Sequence, residues 1–256
     1  MPRYKAIVEY DGTDFSGWQI QPESITLQEC IENGLSDLLG HHLRVSASGR
    51  TDAGVHALGQ VISFVTDKNI TCRNVMKGTN VRLPESVRLV SVEKAPDAFD
   101  PRRDAILRWY RYSVINRSVE PVIARRFVTH IPYRLDFSIL EKALSMFPGE
   151  HDFSGFRSVQ CSASRTNLTM ETVSMKRIGD FFYVDFKCRS FLHNMIRIIM
   201  GGVIEVARGK KSIHILDEML SSGERNSSVP TAPARGLCLM KVYYHDYDRD
   251  DPEIPV

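Results

Sequence analysis

One order of patterned segments runs through this chain twice. Residues 3–10 are rich in β-branched and aromatic side chains and read as a strand. Thr26 and Glu29 form a capping box. Leu27, Ile31, Leu35, Leu38 and Leu39 then recur at helical spacing until Gly40. Residues 42–46 and 61–66 read as strands, 72–81 as a helix weakened by Gly78, and 87–92 as another strand. The second half follows suit with a strand over 105–115 and a helix capped by Asp136 that carries Phe137, Leu140, Leu144 and Phe147. A hairpin of 170–178 and 181–188 turns at Gly179-Asp180; an apolar helix over 191–207, a short extra helix from Ser212 and a strand over 237–244 follow. Two β-α-β-β-α-β units in tandem predict an α+β fold of two ferredoxin-like halves, residues 1–104 and 105–256, each with an antiparallel sheet on one side and helices on the other. With no long linker between them, the halves are expected to pack around a central cleft.

Composition narrows the class. At 256 residues and 43% hydrophobic, the chain can build a full core without staples. Its five cysteines are odd in number, widely spaced and never in a C-x-x-C pair, which argues against a disulfide framework and a zinc ribbon and for a reduced cytosol. The longest apolar-leaning run, 195–207, carries Arg197 and Glu205 and falls short of the ~20 residues of a membrane span. The N-terminus opens directly on a strand pattern, so no leader is expected and the protein is placed in the cytoplasm. The formal charge is only +2, but residues 102–126 hold seven arginines against two acids, while the last twelve residues hold five acids and one arginine. A basic block beside an acidic tail suits phosphate contact, or equally a solvated basic face.

The most specific stretch is Ser48-Gly49-Arg50-Thr51-Asp52-Ala53-Gly54-Val55-His56-Ala57. Its glycines permit a tight backbone and close ligand approach, and Arg50 favours an ionised Asp52. A partly desolvated aspartate can act as nucleophile or general base. It can also cap a helix beginning at Ala53, or join His56 as a pair of metal ligands, though no further ligand cluster stands nearby in the sequence. In Arg108-Trp109-Tyr110-Arg111-Tyr112, rings alternate with guanidinium groups, a pattern that serves base stacking and phosphate contact or a core strand with snorkelling arginines. Arg197, inside an apolar helix, calls for an anionic partner, either a protein carboxylate or a substrate phosphate.

In order along the chain, Tyr10-Asp11-Gly12-Thr13, Gly17-Trp18-Gln19, Gly49-Arg50-Thr51-Asp52-Ala53-Gly54-Val55-His56, Tyr110-Arg111-Tyr112, Asp152-Phe153, residues 191–197 and 231–237 resemble the tRNA pseudouridine synthase A family. The resemblance implies isomerisation of uridine to pseudouridine at tRNA positions 38, 39 and 40 in the anticodon stem-loop. It also implies a homodimer, tRNA as partner, and neither a metal nor an organic cofactor. By the same likeness Asp52 is the catalytic aspartate, Tyr110 stacks on the target base, Arg197 pairs with Asp52, Arg50 helps extrude the nucleotide and Leu237 lines the base pocket. Phe99, Arg102, Arg103, Gln160, Cys161, Ser162 and Arg165 are implied to touch tRNA, although Arg103 stands where the family usually has an aromatic residue. Two other classes compete. A non-catalytic RNA-binding module would carry an RNP-type string on a central strand, and none occurs. A hydrolase of the N-glycosidic bond would admit water and release free uracil.

Overall fold

A computed structural model describes residues 1–159, 161 and 163–245. In chain order the elements are β1 (Arg3–Tyr10), α1 (Leu27–Leu39), β2 (Ser46–Ala47), β3 (His56–Val65), α2 (Cys72–Asn80) and β4 (Val87–Ala95). They continue with β5 (Leu107–Asn116), β6 (Thr129–Ile131), α3 (Phe137–Leu144), β7 (Gly149–Asp152), β8 (Asn167–Ile178), β9 (Phe181–Cys188), α4 (Met195–Ala207), α5 (His214–Ser222) and β10 (Leu237–Tyr243). Contacts gather the chain into two compact units: Met1–Arg108 with the chain from Leu239 onward, and Trp109–Cys238. Both unit boundaries fall inside strands, β5 and β10. Among the described residues no helix is long and apolar enough to cross a membrane.

In the first unit the strand order is β4-β1-β3-β10, with β2 paired to β3. β1 runs antiparallel to both neighbours, with Ala6 opposite Ile62 of β3 and Val92 of β4. Its alternation is the reason: Tyr4, Ala6, Val8 and Tyr10 are buried while the intervening side chains are more exposed. α1 buries Leu27, Ile31, Leu35 and Leu39, and ends at Gly40, whose φ of 76° closes the helix in the left-handed region. Gly78 lies within α2 because α1 crosses it closely; a Cβ there would stand 2.6 Å from Leu38 Cδ1.

In the second unit the order is β5-β9-β8-β7, with β6 beside β5. β7–β8 and β8–β9 pair antiparallel, whereas β5–β6 is parallel. Phe182, Val184, Phe186 and Cys188 of β9 are buried, and Phe137 of α3 meets Phe182 edge-on with ring centroids 5.5 Å apart. Asp136 caps α3 as the pattern predicts, accepting from the backbone N–H groups of Ser138 and Ile139.

Several elements differ from the sequence reading. Thr26 stands at the N-cap of α1, yet its hydroxyl is buried without a hydrogen-bond partner, so the capping box does not form. The open donors of the first turn go elsewhere: Leu27 N–H donates to Gly17 O at 3.1 Å and Gln28 N–H to Trp18 O at 3.0 Å. The strand expected over 42–46 shrinks to the two residues of β2, while β3 begins at His56 rather than at residue 61. α4 starts at Met195 rather than at residue 191, because Asn194 adopts the left-handed region (φ 63°) that asparagine tolerates. β6 and β7 carry too few residues for a readable alternation, and β5–β6 departs from the expected antiparallel pairing.

Candidate active site

In the first unit, two glycine-bearing segments some forty residues apart lock together. Asp52-Ala53-Gly54-Val55 is a turn closed by Val55 N–H donating to Asp52 O at 3.2 Å, with Gly54 at φ 76° in the third position. It is not a helix start, so the reading of Asp52 as a helix cap is corrected. Residues 11–18 fold over this turn. Trp18 N–H donates to Thr51 O at 3.0 Å and Gly54 N–H to Phe15 O at 3.4 Å. Tyr10 and Thr51 share a buried hydroxyl–hydroxyl bond of 2.8 Å. The approach is close enough to require glycine, since a Cβ on Gly12 would lie 2.0 Å from Val55 O, and one on Gly17 would lie 3.0 Å from Thr51 O. Asp52 is half-buried at the head of this turn.

The strand side of the same loop is held by buried polar groups. Ser48 Oγ donates to Gln60 Oε1 at 2.6 Å, and Gln60 Nε2 donates to Gly49 O at 2.9 Å. Arg108, only 7% exposed, donates from Nε and Nη2 to Ser48 O at 3.2 and 2.5 Å and from Nη2 to Arg102 O at 3.0 Å. It therefore braces the residue just before Gly49-Arg50, a role the alternating string around it did not disclose. Arg50 itself is exposed, two residues from Asp52. Phe99 packs on Tyr244 with ring centroids 5.2 Å apart, and Lys5 Nζ lies 5.8 and 5.0 Å from the two rings. Arg102 and Arg103 are exposed. Asp100 accepts both their backbone N–H groups at 2.9 Å and Arg103 Nε at 3.0 Å. The bond from the Arg103 backbone, above all, holds the Asp100 carboxyl below the usual carboxylate range.

The second unit holds the other predicted residues. Tyr110, on β5, is 7% exposed and meets Phe191 edge-on at 5.1 Å. On the other face of the strand Trp109 Nε1 donates to Asp185 Oδ1 at 2.7 Å, and Arg111 grips both oxygens of that carboxylate at 2.8 and 3.0 Å. Two residues beyond Tyr110, the buried Tyr112 hydroxyl donates to Pro233 O at 2.8 Å. Having one proton, it accepts from Thr129 Oγ1 at 2.7 Å. Burial holds this phenol protonated by pushing its pKa upward.

From the opposite side, α4 takes hold of the same loop. Arg197 Nε donates to Ala232 O and Ala232 N–H to Arg197 O, both at 2.9 Å, while Arg197 Nη1 donates to Asn194 Oδ1 at 2.6 Å. Residues 230–236 are thus fixed between α4 and β5, and they lead directly into Leu237, which is 5% exposed. Cys161 is half-buried and Arg165 exposed, its Nε donating to Asn167 O at 3.2 Å. Gln160 and Ser162 lie outside the described residues. Asp52, Arg50, Phe99, Arg102 and Arg103 belong to the first unit, and Tyr110, Arg197, Leu237, Cys161 and Arg165 to the second. Among the described residues no group of three or more His, Cys, Asp and Glu side chains is arranged to hold a metal ion.

The profile of the tRNA pseudouridine synthase family matches residues 6–102 and 143–245. The chain belongs to that family. Among its relatives, the tRNA pseudouridine synthase A of Geotalea uraniireducens (strain Rf4) is 42% identical over 244 residues, covering 95% of this chain and 100% of that one. Those of Brevibacillus brevis and Methylobacterium sp. (strain 4-46) are 39% and 38% identical over 95% of this chain and 100% and 98% of theirs. A chain of the solved Cbf5-Nop10-Gar1 complex gives a TM-score of 0.33 at 10% identity over 78% of this chain and 53% of that one, too weak a likeness to argue from. The family match takes in the Asp52 turn, the loop clasping it, α4 and residues 230–237, and leaves out residues 103–142, where Tyr110 and Tyr112 lie.

Proposed function

We propose that this protein isomerises uridine to pseudouridine at positions 38, 39 and 40 of the tRNA anticodon stem-loop, with Asp52 as the essential group. The supporting observation is the clasped turn that presents Asp52, half-buried, on a backbone pinned at Thr51, Gly54 and Val55. The reaction breaks N1–C1′, turns the uracil while it is held, and forms C5–C1′; the proton lost from C5 is matched by one gained at N1, so the composition of the nucleotide is unchanged. Such a step needs a carboxylate of fixed position and a site from which water is kept. Everting the base costs a few kcal/mol, and stacking on an aromatic ring offsets ~1–3 kcal/mol of it. In this reading Tyr110 supplies that ring and assists proton removal at C5, Arg197 supplies positive charge to the reacting carboxylate, Arg50 helps extrude the nucleotide, and Leu237 lines the base pocket. Phe99, Arg102, Arg103, Cys161, Arg165 and the loop residues Gln160 and Ser162 serve the tRNA. The working protein is a cytoplasmic homodimer of tandem ferredoxin-like halves, residues 1–104 and 105–256, needing no metal or organic cofactor.

The test is tritium release from C5-labelled uridine in tRNA transcripts, with each anticodon-arm uridine replaced in turn. Wild type is expected to release label, and D52N to bind tRNA with unchanged affinity while release falls by at least ~10²–10⁴-fold, the cost of losing a positioned acid–base group. D52N turning over at the wild-type rate would remove the aspartate assignment. Free uracil in the products would make the protein a hydrolase, and tRNA binding with no label released from any uridine would leave an RNA-binding module.

A further inference from the structure

Between the clasping loop and β3 lies a histidine that the proposed chemistry does not use. His56 is the first residue of β3, 4% exposed, and follows directly on the turn that carries Asp52. Gly12 N–H donates to its Nδ1 at 3.1 Å in a buried hydrogen bond. Asp11 Oδ1 stands 3.2 Å from the same nitrogen, but that oxygen already accepts the Thr13 backbone N–H at 3.0 Å and the Thr13 hydroxyl at 2.6 Å. Accepting the Gly12 N–H requires an unprotonated Nδ1, which in the neutral ring places the proton on Nε2.

The bond sits where it controls register. Gly12 is the residue whose backbone touches Val55 O so closely that any Cβ would collide, and Asp11 N–H is tied to Ser86 O at 2.9 Å, at the foot of β4. Beyond Gly12, Gly54 N–H meets Phe15 O and Trp18 N–H meets Thr51 O, backbone to backbone. The imidazole acceptor is a side-chain link, beside the Tyr10–Thr51 hydroxyl pair, that ties residue 12 to residue 56. We propose that His56 is a positioning residue whose neutral Nδ1, by accepting the Gly12 N–H, registers residues 11–18 on the Asp52 turn and so sets where the carboxylate stands. The inference rests on the assignment of Asp52 above. The chemistry asked of position 56 is specific: an acceptor at the Nδ1 position, which asparagine reproduces with Oδ1, and which leucine lacks.

Single-turnover tritium release and tRNA affinity are to be measured for H56N and H56L, with ¹⁵N-histidine NMR of the wild-type protein to read the ring. H56N is expected to stay within about 3-fold of the wild-type rate. H56L should lose at least ~10²-fold in rate, as misplacement of about 1 Å does, with tRNA affinity unchanged. The NMR signature expected is an unprotonated Nδ1 and a protonated Nε2. Wild-type turnover by H56L, equal losses in H56N and H56L, or a proton on Nδ1 directed at Asp11 would each overturn the proposal. Should H56L not fold, H56N and the tautomer still decide it. Failure of the Asp52 assignment would show separately, as a D52N protein that remains active.

Discussion

Gly201 of α4 offers the sharpest perturbation of the second unit. It lies one helical turn beyond Arg197, on the face that receives residues 230–232. A Cβ at Gly201 would stand 1.9 Å from Pro230 O and 3.2 Å from Ala232 N, against an ordinary contact of 3.4 Å, so G201A must push the loop away by about 1.5 Å. Both 2.9 Å hydrogen bonds between Arg197 and Ala232 would then lie beyond hydrogen-bonding range. Losing them costs ~0.5–1.5 kcal/mol each, and overpacking costs ~1–3 kcal/mol. Alanine's better helix propensity offsets about 1 kcal/mol. The net is a loss of about 1–5 kcal/mol, read by scanning calorimetry as a fall of roughly 2–20 °C in Tm. Because Arg197 and the approach to Leu237 move with the loop, single-turnover release should fall about 10²-fold. The control is G179A in the hairpin turn, where a Cβ meets nothing within 4 Å and only φ 59° is strained, at about 1 kcal/mol and no change in rate. A G201A protein with Tm within ~2 °C of wild type and an unaltered rate would refute the claim that helix and loop are in tight register.

Two further outcomes are expected. Y112F leaves a partly buried Pro233 carbonyl and the Thr129 hydroxyl without the phenol between them, and should lose about 1–3 kcal/mol, seen as a lower urea midpoint at unchanged slope; an unmoved midpoint would show the bonds to be energetically idle. Burial, with Glu29 as the lesser cause, pushes the Cys30 thiol from 9.0 up to about 11. Since the thiolate is the reactive form, iodoacetamide at mildly alkaline pH should label native Cys30 about 100-fold more slowly than the urea-unfolded chain, and equal rates by mass spectrometry would contradict the burial.

Much of the first unit is legible in its sequence, and the reason is periodicity. Tyr4, Ala6, Val8 and Tyr10 alternate, and Leu27, Ile31, Leu35 and Leu39 fall on one helical face, so sheet and helix announce themselves through side chains. Sequence pattern and structure part where the deciding partner is backbone. Thr26 with Glu29 is a good capping box on paper, but the carbonyls of Gly17 and Trp18 reached the helix first. β2, β6 and β7 are held by neighbours rather than by a pattern of their own.

At the candidate site the division is similar. The glycines flanking Asp52 and those at 12 and 17 marked a place where chain approaches chain, though not which chain. In the sequence Arg108 is one more arginine in a basic string and His56 a candidate metal ligand with Asp52; the structure sets Ser48 O and Gly12 N–H against them.

Side-chain identity and local spacing carry the periodic elements, the family and the short strings that hold the candidate site residues. Which amide meets which carbonyl across forty residues of intervening chain is settled only by packing in three dimensions. Every residue but proline offers the same N–H and C=O, so no letter of the sequence distinguishes the pair that will meet.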